Sequence, residues 1–94
     1  NSGLYERFLN KFLSDPTFGM VTDAFKAGDA QLALTATHTF KGLTANLGLT
    51  KLYNISSEMV SLIRDGDYGA AAGTFPDLKA AYDEICGILK KGLL

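Results

Sequence analysis

Residues 25–50 read FKAGDAQLALTATHTFKGLTANLGLT. Gly28 followed at once by Asp29 pairs a helix stop with the N-cap of the next helix. Gly48 is a second stop. Between them Leu32, Ala36, Phe40, Leu43 and Leu47 recur at spacings of 4, 4, 3 and 4, the core stripe of one amphipathic helix from about Ala30 to Asn46.

The same grammar extends in both directions. Downstream, Thr50 is expected to cap a helix whose core face carries Leu52, Ile55, Met59, Leu62 and Ile63. Asp65-Gly66-Asp67 repeats the stop-and-cap device. A last segment carries Ala71, Phe75, Leu78, Tyr82, Ile85 and Leu89. Pro76 interrupts it, but the stripe keeps phase, so one bent helix is expected. Upstream, Asp15-Pro16 reads as an N-cap and first helical residue for a short helix bearing Phe18, Val21 and Phe25. Before it, Leu4, Tyr5, Phe8, Leu9, Phe12 and Leu13 define a first helix, with Ser2 as its cap. No sustained period-2 run predicts a strand. The expected fold is all-α: an antiparallel four-helix bundle with an additional short N-terminal helix. Residues 1–94 are read as one domain.

Composition narrows the function classes. The 94 residues are 47% hydrophobic and 20% charged, proportions of a globular chain. Nine Lys+Arg against ten Asp+Glu leave a net charge of −1, which excludes a strongly basic nucleic-acid binder. No apolar run reaches the roughly 18–20 residues that span a bilayer. Asn1–Lys11 mixes charge with periodic apolar residues, unlike a secretion signal. One cysteine, Cys86, and one histidine, His38, fall short of a zinc ligand set. Cys86 lies among core positions and is read as packing. A reducing, cytoplasmic setting is expected.

His38 asks the functional question. At about 100° per residue it sits roughly 160° from the centre of its helix's apolar stripe. Its neighbours on that outer face are Leu34, Lys41, Gly42 and Ala45. A glycine inside a helix costs about 0.5–1 kcal/mol relative to alanine, so Gly42 needs a reason. One turn beyond His38, it leaves the imidazole open to a second body. Lys41 brings an ammonium to the flank. Exposed imidazole, clear approach and nearby positive charge are what nucleophilic phosphotransfer requires. No G-x-x-x-x-G-K-[ST] loop or other glycine-rich nucleotide cradle is present. The phosphoryl group is therefore expected from another protein.

The segment Ala36-Thr37-His38-Thr39-Phe40-Lys41-Gly42-Leu43-Thr44-Ala45-Asn46-Leu47-Gly48 resembles the signature of histidine-containing phosphotransfer (HPt) domains. That signature is His, a hydrophobic residue at +2, Lys at +3, Gly at +4 and Gly at +10. Phe40, Lys41, Gly42 and Gly48 stand at those places. The turns Phe25–Asp29 and Arg64–Asp67 look like those of the family, and the resemblance runs from about Leu4 to Leu89. It implies a phosphorelay intermediate in two-component signal transduction. His38 would accept a phosphoryl group from a receiver-domain aspartyl phosphate and pass it to another receiver. Lys41 would stabilise phosphoryl charge and Gly42 give access. Partners would be response-regulator receivers or a hybrid histidine kinase, docking around Leu34, Thr35, Gly42 and Ala45, with Thr17–Val21 contributing. The domain would need no cofactor of its own, the receiver supplying Mg²⁺, and would be a carrier rather than an autonomous kinase. A monomer is the default expectation, without nucleic-acid or membrane partners. Two departures stand out. Phe40 replaces the leucine common at +2. The Gln or Glu that some relatives carry 22 residues after the histidine is Val60 here, with Ser56, Ser57 or Glu58 as substitutes. The alternatives are a non-catalytic helical binding module, or the phosphoacceptor domain of a larger chemotaxis-type or hybrid histidine kinase.

Overall fold

The computed structural model describes residues 2–91, without the side chains of residues 2, 4, 5, 8 and 9. Five α-helices follow in order: α1 (Ser2–Ser14), α2 (Thr17–Ala27), α3 (Ala30–Leu47), α4 (Thr50–Arg64) and α5 (Tyr68–Lys90). No strand occurs among the described residues. No described helix is long and apolar enough to cross a membrane.

The joints follow from local chemistry. Asp29 accepts the Leu32 N–H through Oδ1 at 3.0 Å, and Asp67 accepts the Ala70 N–H at 3.0 Å. Each satisfies one of the donors that a helix start leaves unpaired. Gly28 and Gly48 both take φ of +69°, the left-handed geometry that closes α2 and α3. Replacing Asp29 by Ala is expected to cost about 1 kcal/mol, read as a lower denaturant midpoint at unchanged slope.

Two predicted caps move by one residue. Helix α4 begins at Thr50 itself, with Leu49 in the cap position and no side-chain cap bond. Leu49 is buried in the core, so its packing, rather than a hydroxyl, sets the entry to α4. Pro16 occupies the cap position of α2, while Asp15 still serves the helix start by accepting the Thr17 N–H at 2.8 Å. The proposed Ser2 cap and the stripe residues Leu4, Tyr5, Phe8 and Leu9 fall among the side chains outside the described set.

Helix α5 runs unbroken through Pro76. The proline removes one i→i−4 bond, but burial of Ala71, Leu78, Ala81 and Cys86 spans both sides of it. Packing of one apolar face outweighs that loss.

Helix α2 packs on α3, α3 on α4, α4 on α5, and α1 on α5. Rings tie α2 to α5 as well. Phe25 stacks on Tyr68 at 5.5 Å, and Phe18 on Tyr82 at 3.8 Å between centroids. The Tyr68 hydroxyl donates to the Phe25 carbonyl at 3.3 Å. Phe40 of α3 meets Phe12, Phe18 and Tyr82 at 6.1, 5.4 and 6.0 Å, spacings of favourable tilted ring pairs. Burial, and then the Cys86 thiol beside it, pushes the Tyr82 phenol up to about 12, so this core ring stays neutral.

The α3 stripe is the main correction. Ala33, Ala36, Thr37, Phe40 and Thr44 are buried, whereas Leu32 is 55% exposed. The core face is thus rotated by roughly 55° from the predicted stripe, whose centre falls on Ala36, at 100° per residue. Alanine and threonine side chains let the neighbouring helices approach closely, which leaves the larger Leu32 on the rim. Thr37 and Thr44, polar by residue type, are fully buried.

Candidate functional site

His38 is exposed on α3. About 145° separates it from the centre of the observed core face, so the rotation leaves its outward aim intact. Gly42, one turn on, is exposed, and a Cβ built there would meet nothing within 4 Å. Glycine at this place is therefore not required by any helix packed against it. Its effect is to keep the surface beside the imidazole low.

Lys41 is half-buried on the α4 side of His38. Its ammonium lies 5.8 Å from the centroid of the Tyr53 ring, within cation–π reach. Tyr53 is a residue that sequence reasoning missed. The signal was an aromatic one turn into α4, legible only with the α3–α4 turn geometry known.

An apolar groove runs between α2 and α3 and reaches Thr35, one turn before His38. Met20 of α2 and Leu32 of α3 are 52% and 55% exposed. They line this groove together with Asp23, Ala24, Ala27, Thr35 and Ala36. Contiguous exposed apolar surface rimmed by polar residues is the usual form of a contact surface. Leu32 belongs to this rim rather than to the core.

The predicted contact residues divide. Thr35 and Ala45 are exposed, and the Thr35 carbonyl is engaged by the Thr39 hydroxyl at 3.0 Å. Leu34 is half-buried and packs against the core, so it serves the fold as well as the surface. Within Thr17–Val21, Thr17, Phe18 and Val21 are buried, which leaves Gly19 and Met20 to face outward. Cys86 is buried, as its core position implied.

On α4, Val60 is 1% exposed and Ser56 is fully buried, so neither reaches a surface imidazole. Glu58 lines the groove between α4 and α5 with Thr74 and Asp77, not the α3 side. Of the α4 residues named as substitutes, Ser57 alone is neither fully buried nor turned to that groove. No cluster of three or more His, Cys, Asp or Glu able to hold a metal occurs among the described residues.

Comparison with protein-family models, curated proteins and solved structures finds no match for this chain.

Proposed function

We propose that this chain is a histidine phosphotransfer module in which His38 carries a phosphoryl group between receiver domains. The reading rests on one observation above the others: the lone histidine is exposed beside a glycine with open space over it and a lysine on its flank, with an apolar groove that reaches Thr35 one turn before it. In the proposed architecture α2–α5 form an antiparallel four-helix bundle and α1 is an additional N-terminal helix. The setting is cytoplasmic and the module works as a monomer between transient partners.

The chemistry is a simple displacement. A lone pair of the neutral His38 imidazole attacks the phosphorus of a receiver's aspartyl phosphate. An N–P bond forms as the acyl O–P bond breaks, and the electron pair leaves with the receiver's carboxylate. The proton on the other ring nitrogen remains there or passes to solvent. Lys41 offsets charge on the phosphoryl oxygens, and the receiver's Mg²⁺ does so from the other side. The reverse sequence hands the group to a second receiver. The receiver docks over Gly42, Thr35 and Ala45, and its apolar residues fill the groove between Met20 and Leu32.

The direct test is transfer from a phosphorylated receiver domain of the same organism. Acid-labile, alkali-stable label on the chain is the expected result. No label from any receiver of that organism would turn the reading to a non-catalytic binding module, or to the acceptor domain of a larger kinase. Gly42→Gln adds a graded check. It is expected to leave the helix as stable or stabilise it by up to about 0.7 kcal/mol, yet to slow transfer by crowding the approach. A more stable variant with unchanged transfer kinetics would remove the access role from Gly42.

A further inference from the structure

Lys41 has no carboxylate partner among the described residues. The two ion pairs there, Lys51 with Glu84 and Lys79 with Asp83, involve other lysines. What faces the Lys41 ammonium is the ring of Tyr53. Both side chains spring from hydrogen-bonded helical backbone. The Lys41 carbonyl accepts the Thr44 hydroxyl at 2.9 Å. The Tyr53 N–H donates to the Leu49 carbonyl at 2.9 Å, and Tyr53 lies along the α3–α4 turn beside Thr44, Gly48 and Leu49.

The kind of partner matters. A carboxylate would localise the ammonium but also neutralise it, and would compete with an incoming phosphoryl group. An aromatic face attracts a cation through its quadrupole and leaves the full charge available. A long lysine side chain otherwise samples many rotamers, and ordering it costs free energy at the moment it is needed. We propose that Tyr53 is a positioning residue. It acts through Lys41, holding the ammonium on the α4 flank of His38, charged and confined, for the phosphoryl oxygens. This inference rests on the phosphoacceptor reading above.

Two measurements test it. The first needs no phosphotransfer. In the NMR spectrum of the unmodified chain, the Lys41 ε-methylene protons should be shifted upfield by the Tyr53 ring. The shift should persist in Tyr53→Phe and vanish in Tyr53→Leu. Random-coil positions in the wild type would overturn the positioning role and leave the phosphoacceptor reading standing.

The second uses phosphoramidate as a small donor. The His38 nitrogen forms an N–P bond, the donor's own P–N bond breaks, and ammonia leaves with that electron pair and takes up a proton. Tyr53→Leu is expected to slow formation of phosphohistidine about two- to fivefold. Tyr53→Phe should restore the wild-type rate, and Tyr53→Leu should cause no further slowing when Lys41 is already Ala. Equal slowing in both backgrounds, or none in either, would overturn the proposal. Failure of wild-type His38 to take the label at all would overturn it together with the phosphoacceptor reading.

Discussion

His38→Gln is expected to abolish phosphoryl acceptance completely while leaving the melting temperature within about 4 °C of the wild type. The first half follows from chemistry. His38 is the sole histidine, and no other side chain yields an acid-labile, alkali-stable phosphoramidate here except a lysine, whose ammonium is protonated at neutral pH and not nucleophilic. The second half follows from placement. The imidazole is exposed, and surface substitutions usually fall within about 0.5 kcal/mol. In a domain of this size 1 kcal/mol moves the midpoint by roughly 4–8 °C. Glutamine also has a favourable helix propensity. Label transfer from a phosphorylated receiver and a thermal melt, run side by side on both proteins, check the two halves. Label retained by the variant would place the acceptor elsewhere. A collapsed melting temperature would mean that His38 supports the core.

Phe40→Ala is expected to be the most damaging single change to the fold. Phe40 is fully buried and meets rings from three other helices: Phe12 of α1, Phe18 of α2 and Tyr82 of α5. Truncating such a phenylalanine removes its transfer free energy and leaves a cavity, together about 3–5 kcal/mol. A domain commonly holds about 5–15 kcal/mol in all, so a large share of the stability goes. The melting temperature should fall by more than about 12 °C, measured by circular dichroism. Phe40→Leu, which keeps most of the volume, should cost much less. A Phe40→Ala midpoint within a few degrees of the wild type would contradict the convergence of four helices on this ring. The contrast with His38, two residues away, is the useful one. Positions two apart on one helix would separate stability from the proposed chemistry because about 200° of helical rotation divides them.

Much of this was legible from the chain. Asp29 and Asp67 cap as their places before apolar stripes predict, and Gly28 and Gly48 stop helices with positive φ. These are local effects, decided within four or five residues. The α5 stripe keeps its predicted centre because its large apolar residues dominate one face, whereas on α4 Ser56 and Val60 are buried and Ile55 and Leu62 only half-buried, a turn of the core face by about 50°. The α3 stripe was read off by about one sixth of a turn because Leu32 and Leu43 outweigh Ala33, Thr37 and Thr44 on any hydrophobicity scale. Burial at a helix contact is decided by fit as well as by hydrophobicity, and fit depends on the neighbour.

The site shows the same division. The outward aim of His38, the place of Lys41 about one turn on at its flank and the gap at Gly42 are properties of one helix, set by its 3.6-residue period alone. The ring that faces Lys41 comes from α4, and the apolar groove that reaches Thr35 needs Met20 of α2 beside Leu32 of α3. Sequence by itself determined which residues could do chemistry and that they share a helix face. Tertiary structure alone decided what stands around them, because side chains from different helices meet only after the helices have packed.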